Sequence, residues 1–124
     1  MGWKELKICA EACAACSLAC GYCVTALLKS EYAEKLKNCT AVLLECIAIC
    51  EATVAVASLN GIFGEQQCRL CIAACNKCAE VCEAHMQWEA AHCKTCADAC
   101  RHCADTCEDA FNTVGNPVIS VNIQ

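Results

Sequence analysis

Thiols set at helical intervals are the first chemistry this sequence offers. Its 124 residues hold 18 cysteines, about one in seven. Cys9, Cys13, Cys16, Cys20 and Cys23 stand three or four residues apart, as do Cys68, Cys71, Cys75, Cys78 and Cys82, and again Cys93, Cys96, Cys100, Cys103 and Cys107. Cys39, Cys46 and Cys50 form a sparser run, with Leu43 and Thr53 where the spacing would place further cysteines. Steps of three and four return to one stripe of an α-helix. Neighbours on such a stripe have Cβ atoms about 5–6 Å apart, so two thiolates of one helix can hold one ion and a facing helix can add a third. Thiolate is a soft ligand that selects Cu(I), zinc or iron–sulfur clusters over hard ions.

Charge separates these candidates. One univalent ion per thiolate leaves a neutral core, whereas Zn²⁺ among four thiolates leaves about two negative charges per site, which burial would penalise heavily. Zinc also wants closed tetrahedra, which loops and knuckles supply better than continuous stripes. The expectation is therefore several Cu(I) ions per chain, with zinc or general soft-metal sequestration and detoxification as the alternative. The cysteine run of bacterial ferredoxins is missing. Disulfides between successive turns of one helix would constrain little, and their geometry is demanding. Cysteine can serve simply as a small apolar core residue, but alanine, valine or leucine would fill three uninterrupted stripes without oxidation risk. A thiol enzyme or redox sensor needs an exposed, low-pKa cysteine, and only Cys39 and Cys93, near helix starts, are placed for that. A copper chaperone would present one exposed ion rather than a filled core.

The elements that carry the stripes follow from the residues between them. Alanine, glutamate, lysine and leucine dominate, and the chain has a single proline and 5% aromatics, a composition that favours helix and no β-sandwich. Four inward-facing stripes make an all-α, antiparallel up-down-up-down four-helix bundle with a cysteine-lined core, expected over residues 1–114. Residues 115–124 would form a C-terminal arm outside it. The second helix is expected over Glu31–Ser58, with Ser30 as its N-cap and Asn60-Gly61 as its break, Gly64 close behind. Between Cys82 and Cys93 there is no glycine or proline, but one helix from Glu65 to Asn112 would run about 70 Å, too long for so small a domain. A tight turn is placed near Gln87–Ala90. Thr95, Asp98, His102, Asp105 and Asp109 lie off the last stripe, which marks that stripe as interior.

A net charge of −5 gives no basic footprint for nucleic acid. Ala41–Leu59 is apolar enough to raise a membrane span, yet Glu45 and Glu51 interrupt it and carboxylates are costly in lipid; a buried bundle helix and no membrane are expected. Met1 to Lys7 contains neither an apolar export region nor twin arginines, pointing to the cytoplasm, where thiols stay reduced unless something binds them.

Antiparallel order gathers Cys23, Cys39, Cys82 and Cys93 at one end and Cys9, Cys50, Cys68 and Cys107 at the other. His85, Met86 and His92 flank the first group as further Cu(I) ligands, so copper is expected to enter and leave there. Leu6, Leu59, Ile62, Phe63 and Phe111 should plug the opposite end.

The run Cys68 to Cys107, with C-x2-C-x3-C-x2-C-x3-C twice around His85-Met86-Gln87-Trp88-Glu89-Ala90-Ala91-His92-Cys93, resembles the bacterial copper storage proteins of the four-helix-bundle type. The resemblance covers roughly the first 112 residues. It implies a turn between His85 and His92, Cu(I) on inward cysteines, a histidine-bearing mouth, the cytosolic branch of the family and commonly a homotetramer. The copper donor and acceptor stay open.

Overall fold

Four helices account for nearly all of residues 2–113, which a computed structural model of the chain describes. They are α1 (Trp3–Leu28), α2 (Lys37–Ser58), α3 (Gly64–Ala84) and α4 (Ala90–Thr113), with no strand among the described residues. Each packs on two neighbours in the circular order α1, α2, α3, α4, and diagonal contact is slight. Cys9 lies against Cys107 while Cys20 lies against Cys96, so α1 and α4 run antiparallel. The expected up-down-up-down bundle is the observed one. The segment expected as an arm, 115–124, lies outside the described residues.

All four cysteine stripes face inward, and every cysteine is buried and free. Thr95, Asp98, His102, Asp105 and Asp109 are exposed on the outside of α4, as their phase requires. A core of cysteines is slender, because each side chain behaves as a small hydrophobe. The largest buried aliphatics are Leu6, Leu27, Leu36 and Leu43, all at most 2% exposed. Burying each contributes about 1.5–3 kcal/mol. Polar clasps tie the helices outside: Arg101 on α4 donates to Glu83 at 2.9 Å and to Asn76 at 3.2 Å, both on α3.

Four local expectations need correction. Residues 31–36 form turns and α2 begins only at Lys37. Ser30 does not cap α2: its hydroxyl accepts the Tyr32 N–H at 3.0 Å and donates to Glu89 at 2.8 Å, a local serine turn that competes with helix. The α3–α4 turn spans 85–89 rather than 87–90. It is tightened by i→i−3 hydrogen bonds from His85 to Cys82 and from Trp88 to His85, which places His92 inside the first turn of α4. At the opposite end Leu6 and Phe111 are buried, but Leu59, Ile62 and Phe63 are 62–78% exposed. The side chains of the α2–α3 connection point outward there, and Leu6 and Phe111, with Ala57, Ala110, Gly64 and Glu65 also buried, close that end.

That connection begins at Asn60, whose φ of 52° is a left-handed conformation that asparagine tolerates. It ends at Gly64, where a Cβ would sit 3.2 Å from Leu6 Cδ2. Gly64→Val should therefore overpack the seal and destabilise the fold by about 1–3 kcal/mol, read as a lowered urea midpoint with unchanged slope.

Both α1 and α2 are long and apolar enough to cross a membrane by length and composition, and about a third of each apolar window is buried in the bundle. The reading of Ala41–Leu59 as a buried helix thus holds for its cysteine stripe only. Leu18 on α1 and Leu44 on α2 face outward at 78% and 53% exposure.

Candidate metal centre

The stripes stack as five layers, one position from each helix. From the sealed end these are Cys9, Thr53, Cys68 and Cys107; then Cys13, Cys50, Cys71 and Cys103; then Cys16, Cys46, Cys75 and Cys100. Next come Cys20, Leu43, Cys78 and Cys96, and at the open end Cys23, Cys39, Cys82 and Cys93. This register corrects one expected grouping: Cys50 belongs a layer inside the sealed end, bonded to Cys71 at 3.7 Å. Thr53 takes α2's place in the end layer. Its hydroxyl donates to Ile49 O at 2.7 Å and accepts from Gln67 at 3.1 Å, so a fully buried polar group there is satisfied.

In the inner layers the sulfurs come within bonding reach of shared ions. Four quartets have all Sγ atoms within 4.8 Å of one another: Cys13/Cys50/Cys71/Cys103, Cys16/Cys46/Cys50/Cys75, Cys16/Cys20/Cys46/Cys100 and Cys20/Cys78/Cys96/Cys100. Individual Sγ–Sγ separations include 3.5 Å for Cys20–Cys96, 3.7 Å for Cys20–Cys100 and 3.8 Å for Cys16–Cys100. With metal–thiolate bonds of about 2.3 Å, two sulfurs on one ion sit about 3.8 Å apart in a tetrahedron and about 4.0 Å apart in a trigonal plane. The interior sulfurs are therefore spaced as ligands of shared ions. The quartets overlap: Cys16, Cys20, Cys46, Cys50 and Cys100 each belong to more than one. A shared sulfur must bridge ions, which suits univalent metal in a chain better than separate closed zinc tetrahedra.

Neighbouring thiols shift these cysteines in both directions: hydrogen bonds from their neighbours pull Cys16, Cys46 and Cys71 below the usual thiol range. Hydrogen bonds from neighbouring thiols, then burial, keep Cys75 and Cys100 far above the usual thiol range. Cys82, receiving bonds from Cys39 and Cys78, is pulled down. At the open end burial, then Cys82 and Cys23, push Cys93 from 9.0 up to about 11. This is the reverse of what a nucleophilic thiol needs, and Cys39, the other cysteine weighed for that role, is also raised, chiefly by its bond to Cys82. Because folded Cys93 keeps its proton more tightly than the unfolded chain does, its contribution to stability is full below about pH 9 and fades as pH rises through 11. The metal-free reduced protein should accordingly melt at progressively lower temperature across that window; a flat or rising profile by circular dichroism would contradict it.

The open end gathers the other expected ligands only in part. His85, Met86 and His92 are all half-buried. His85 Nδ1 lies 2.7 Å from Val81 O, which places the ring proton on Nδ1 and leaves the Nε2 lone pair available, the way metal-ligating histidines are usually held. His92 lies beside Tyr22, ring centroids 5.8 Å apart, and its backbone oxygen accepts the Cys23 thiol at 3.2 Å. Sequence reasoning did not single out the residues around them. Tyr32 and Trp88 are 5.7 Å apart, Lys35 Nζ lies 4.6 Å above the Trp88 ring, and Ser30 bonds Glu89. Trp88 and Glu89 stand in the motif, but reading Glu31–Leu36 as helix, with Ser30 as its cap, hides their partners.

Overlap is what distinguishes this core from a single-site metalloprotein: it is a bundle built to sequester many soft ions along its axis. The chain belongs to the copper storage protein family, whose model matches residues 3–112. Among solved structures, a cytosolic copper storage protein from Streptomyces lividans with five coppers matches with TM-score 0.78 and 29% identity, over 88% of this chain and 93% of that one. The Cu(I)-bound copper storage protein BsCsp3 matches with TM-score 0.77 and 32% identity, over 86% and 97%. The Streptomyces lividans protein Ccsp loaded with 10 copper equivalents matches with TM-score 0.77 and 29% identity, over 87% and 84%. No curated protein matches the sequence.

Proposed function

We propose that this protein stores and buffers Cu(I) in the cytosol, without chemistry of its own, on the 18 cysteines that line its bundle. The overlapping sulfur quartets of the inner three layers carry this reading. Each ion displaces thiol protons, so affinity falls as pH falls. Titrating the reduced metal-free protein with Cu(I) against a competing chelator tests it. Many equivalents, approaching one per thiolate, are expected; one or two would mean a chaperone, and none would defeat the proposal. Zinc in place of copper should bind in far smaller number, because four-thiolate sites would leave charge in the core.

Copper passes through the open end, where His85, Met86 and His92 stand next to Cys23, Cys39, Cys82 and Cys93. The available Nε2 of His85 supports this route. A His85→Ala, His92→Ala double variant should keep its capacity while loading and unloading more slowly; unchanged rates would remove the route.

The protein assembles with copies of itself, as a homotetramer by family resemblance, through the outer face of α1 and α2. Support comes from the contrast between helices: Leu18, Tyr22 and Leu44 are exposed there, whereas charged pairs such as Lys94–Asp98 and Arg101–Glu83 cover the outside of α4 and the α3–α4 flank. Leu18→Glu with Leu44→Glu should yield monomers by light scattering if that face is the interface, and an undiminished mass would exclude it.

A further inference from the structure

We propose that the open end is closed by a latched roof, formed where the α1–α2 connection meets the α3–α4 turn, and that unlatching sets the rate at which Cu(I) passes. The inference rests on copper using this end, as argued above. In the circular order α1, α2, α3, α4, the two connections at this end span opposite edges of the square. Since α1 adjoins α4, Ser30 meets Glu89 on that flank, and it is Lys35, beside α2, over Trp88, beside α4, that joins diagonal corners and carries the two loops across the end. They touch in two chemically distinct ways. Ser30 Oγ donates to Glu89 Oε2 at 2.8 Å, held in place by the Tyr32 N–H it accepts at 3.0 Å. Tyr32 packs against Trp88 with ring centroids 5.7 Å apart, and Lys35 Nζ sits 4.6 Å over the same ring. Met86 and Trp88 pack on the core beneath, and Leu36 is fully buried.

The roof is also wired to the sulfurs below it. The Cys93 thiol donates to His85 O at 3.8 Å and the Cys23 thiol to His92 O at 3.2 Å. Lifting the turn that carries His85 therefore releases Cys93 to bind, so opening the roof and readying a mouth ligand are one movement. None of Ser30, Tyr32, Trp88 or Glu89 is a Cu(I) ligand in this scheme. Their removal should change rates and leave capacity alone, a separation that a purely structural role would not produce. A hydrogen bond to a charged group is strong by protein standards, and losing a closing interaction equivalent to a tenfold change in the open population corresponds to about 1.4 kcal/mol.

The test uses Ser30→Ala and Glu89→Gln, with Trp88→Ala as an independent break of the stack. Two rates are measured: removal of Cu(I) by excess chelator from the loaded protein, and alkylation of Cys39 and Cys93 in the metal-free protein, followed by peptide mass spectrometry. Removal and alkylation are both expected to quicken about tenfold, with copper capacity and helicity as in the unaltered chain. Rates unchanged in Ser30→Ala and Glu89→Gln would overturn the roof, even if Trp88→Ala fails to fold. Faster alkylation with unchanged copper removal would show a roof that does not gate copper and would overturn the proposal as stated. Alkylation needs no copper, so failure of the storage reading, seen as an unaltered chain that binds no Cu(I), is distinguishable from failure of the roof.

Discussion

Removing the central layer of sulfurs, as Cys16→Ala, Cys46→Ala, Cys75→Ala and Cys100→Ala together, will lower Cu(I) capacity by more than the share of thiols lost. Three of the four quartets contain at least one of these residues, and only Cys13/Cys50/Cys71/Cys103 survives intact. If ions are held by shared sulfurs, a gap in the middle strands the sulfurs on both sides of it with too few partners. The metal-free bundle should still fold. Each change deletes one buried heavy atom, comparable to Ile→Val at about 0.5–1.5 kcal/mol, so the four together cost about 2–6 kcal/mol against the roughly 5–15 kcal/mol typical of a domain. Alanine is the cleaner replacement, because a buried serine would add a hydroxyl that must bond back to the i−4 carbonyl, as Thr53 does to Ile49, and such bonds slightly destabilise a helix. Chelator-competed titration with circular dichroism as control decides the matter. A loss of one equivalent or none, in a folded variant, would mean that copper does not occupy this core.

The largest effect of a single substitution on stability is expected at Leu43. It is fully buried and occupies α2's position in the layer of Cys20, Cys78 and Cys96, where every other helix offers sulfur. Leu43→Ala should destabilise the metal-free protein by about 2–5 kcal/mol through lost burial and the cavity left among small cysteines, which have little bulk to fill it. Leu43→Cys fills part of that space and completes the layer as four thiols. It should be less damaging than alanine in the metal-free protein and should raise copper capacity. Urea unfolding of both variants, metal-free and loaded, tests the pair. Equal stability of Leu43→Ala and the unaltered chain would mean that the bundle does not depend on this leucine, and equal capacity of Leu43→Cys would mean that the layer does not bind.

Much of this core was legible from spacing because a stripe at three and four residues has only one regular backbone that keeps it on one side. Cys9 to Cys23, Cys68 to Cys82 and Cys93 to Cys107 therefore declared three helices and their buried faces at once. Where the signal was composition instead of spacing, legibility failed. Glu31 to Leu36 contains good helix formers, but the Ser30 hydroxyl is engaged by Tyr32 and Glu89, and Glu89 lies far along the chain. Leu59, Ile62 and Phe63 looked like a plug because they are apolar, but whether the side chains of a connection point over a bundle end or away from it depends on its turns and not on its hydrophobicity.

The sequence by itself determined the helical stripes, the antiparallel bundle and a soft-metal ligand set, because periodicity and ligand chemistry are local properties. It also determined which ends of the stripes lie together, since short connections leave no other order. Only the tertiary structure decided the register, with Cys50 one layer inside the sealed end and Thr53 in its place. Only it revealed the overlap of the quartets and the meeting of Ser30 and Tyr32 with Glu89 and Trp88. Those facts depend on how far one helix slides along another and on which loops cross the axis. Side-chain packing across the bundle fixes both, and no spacing along the chain records them.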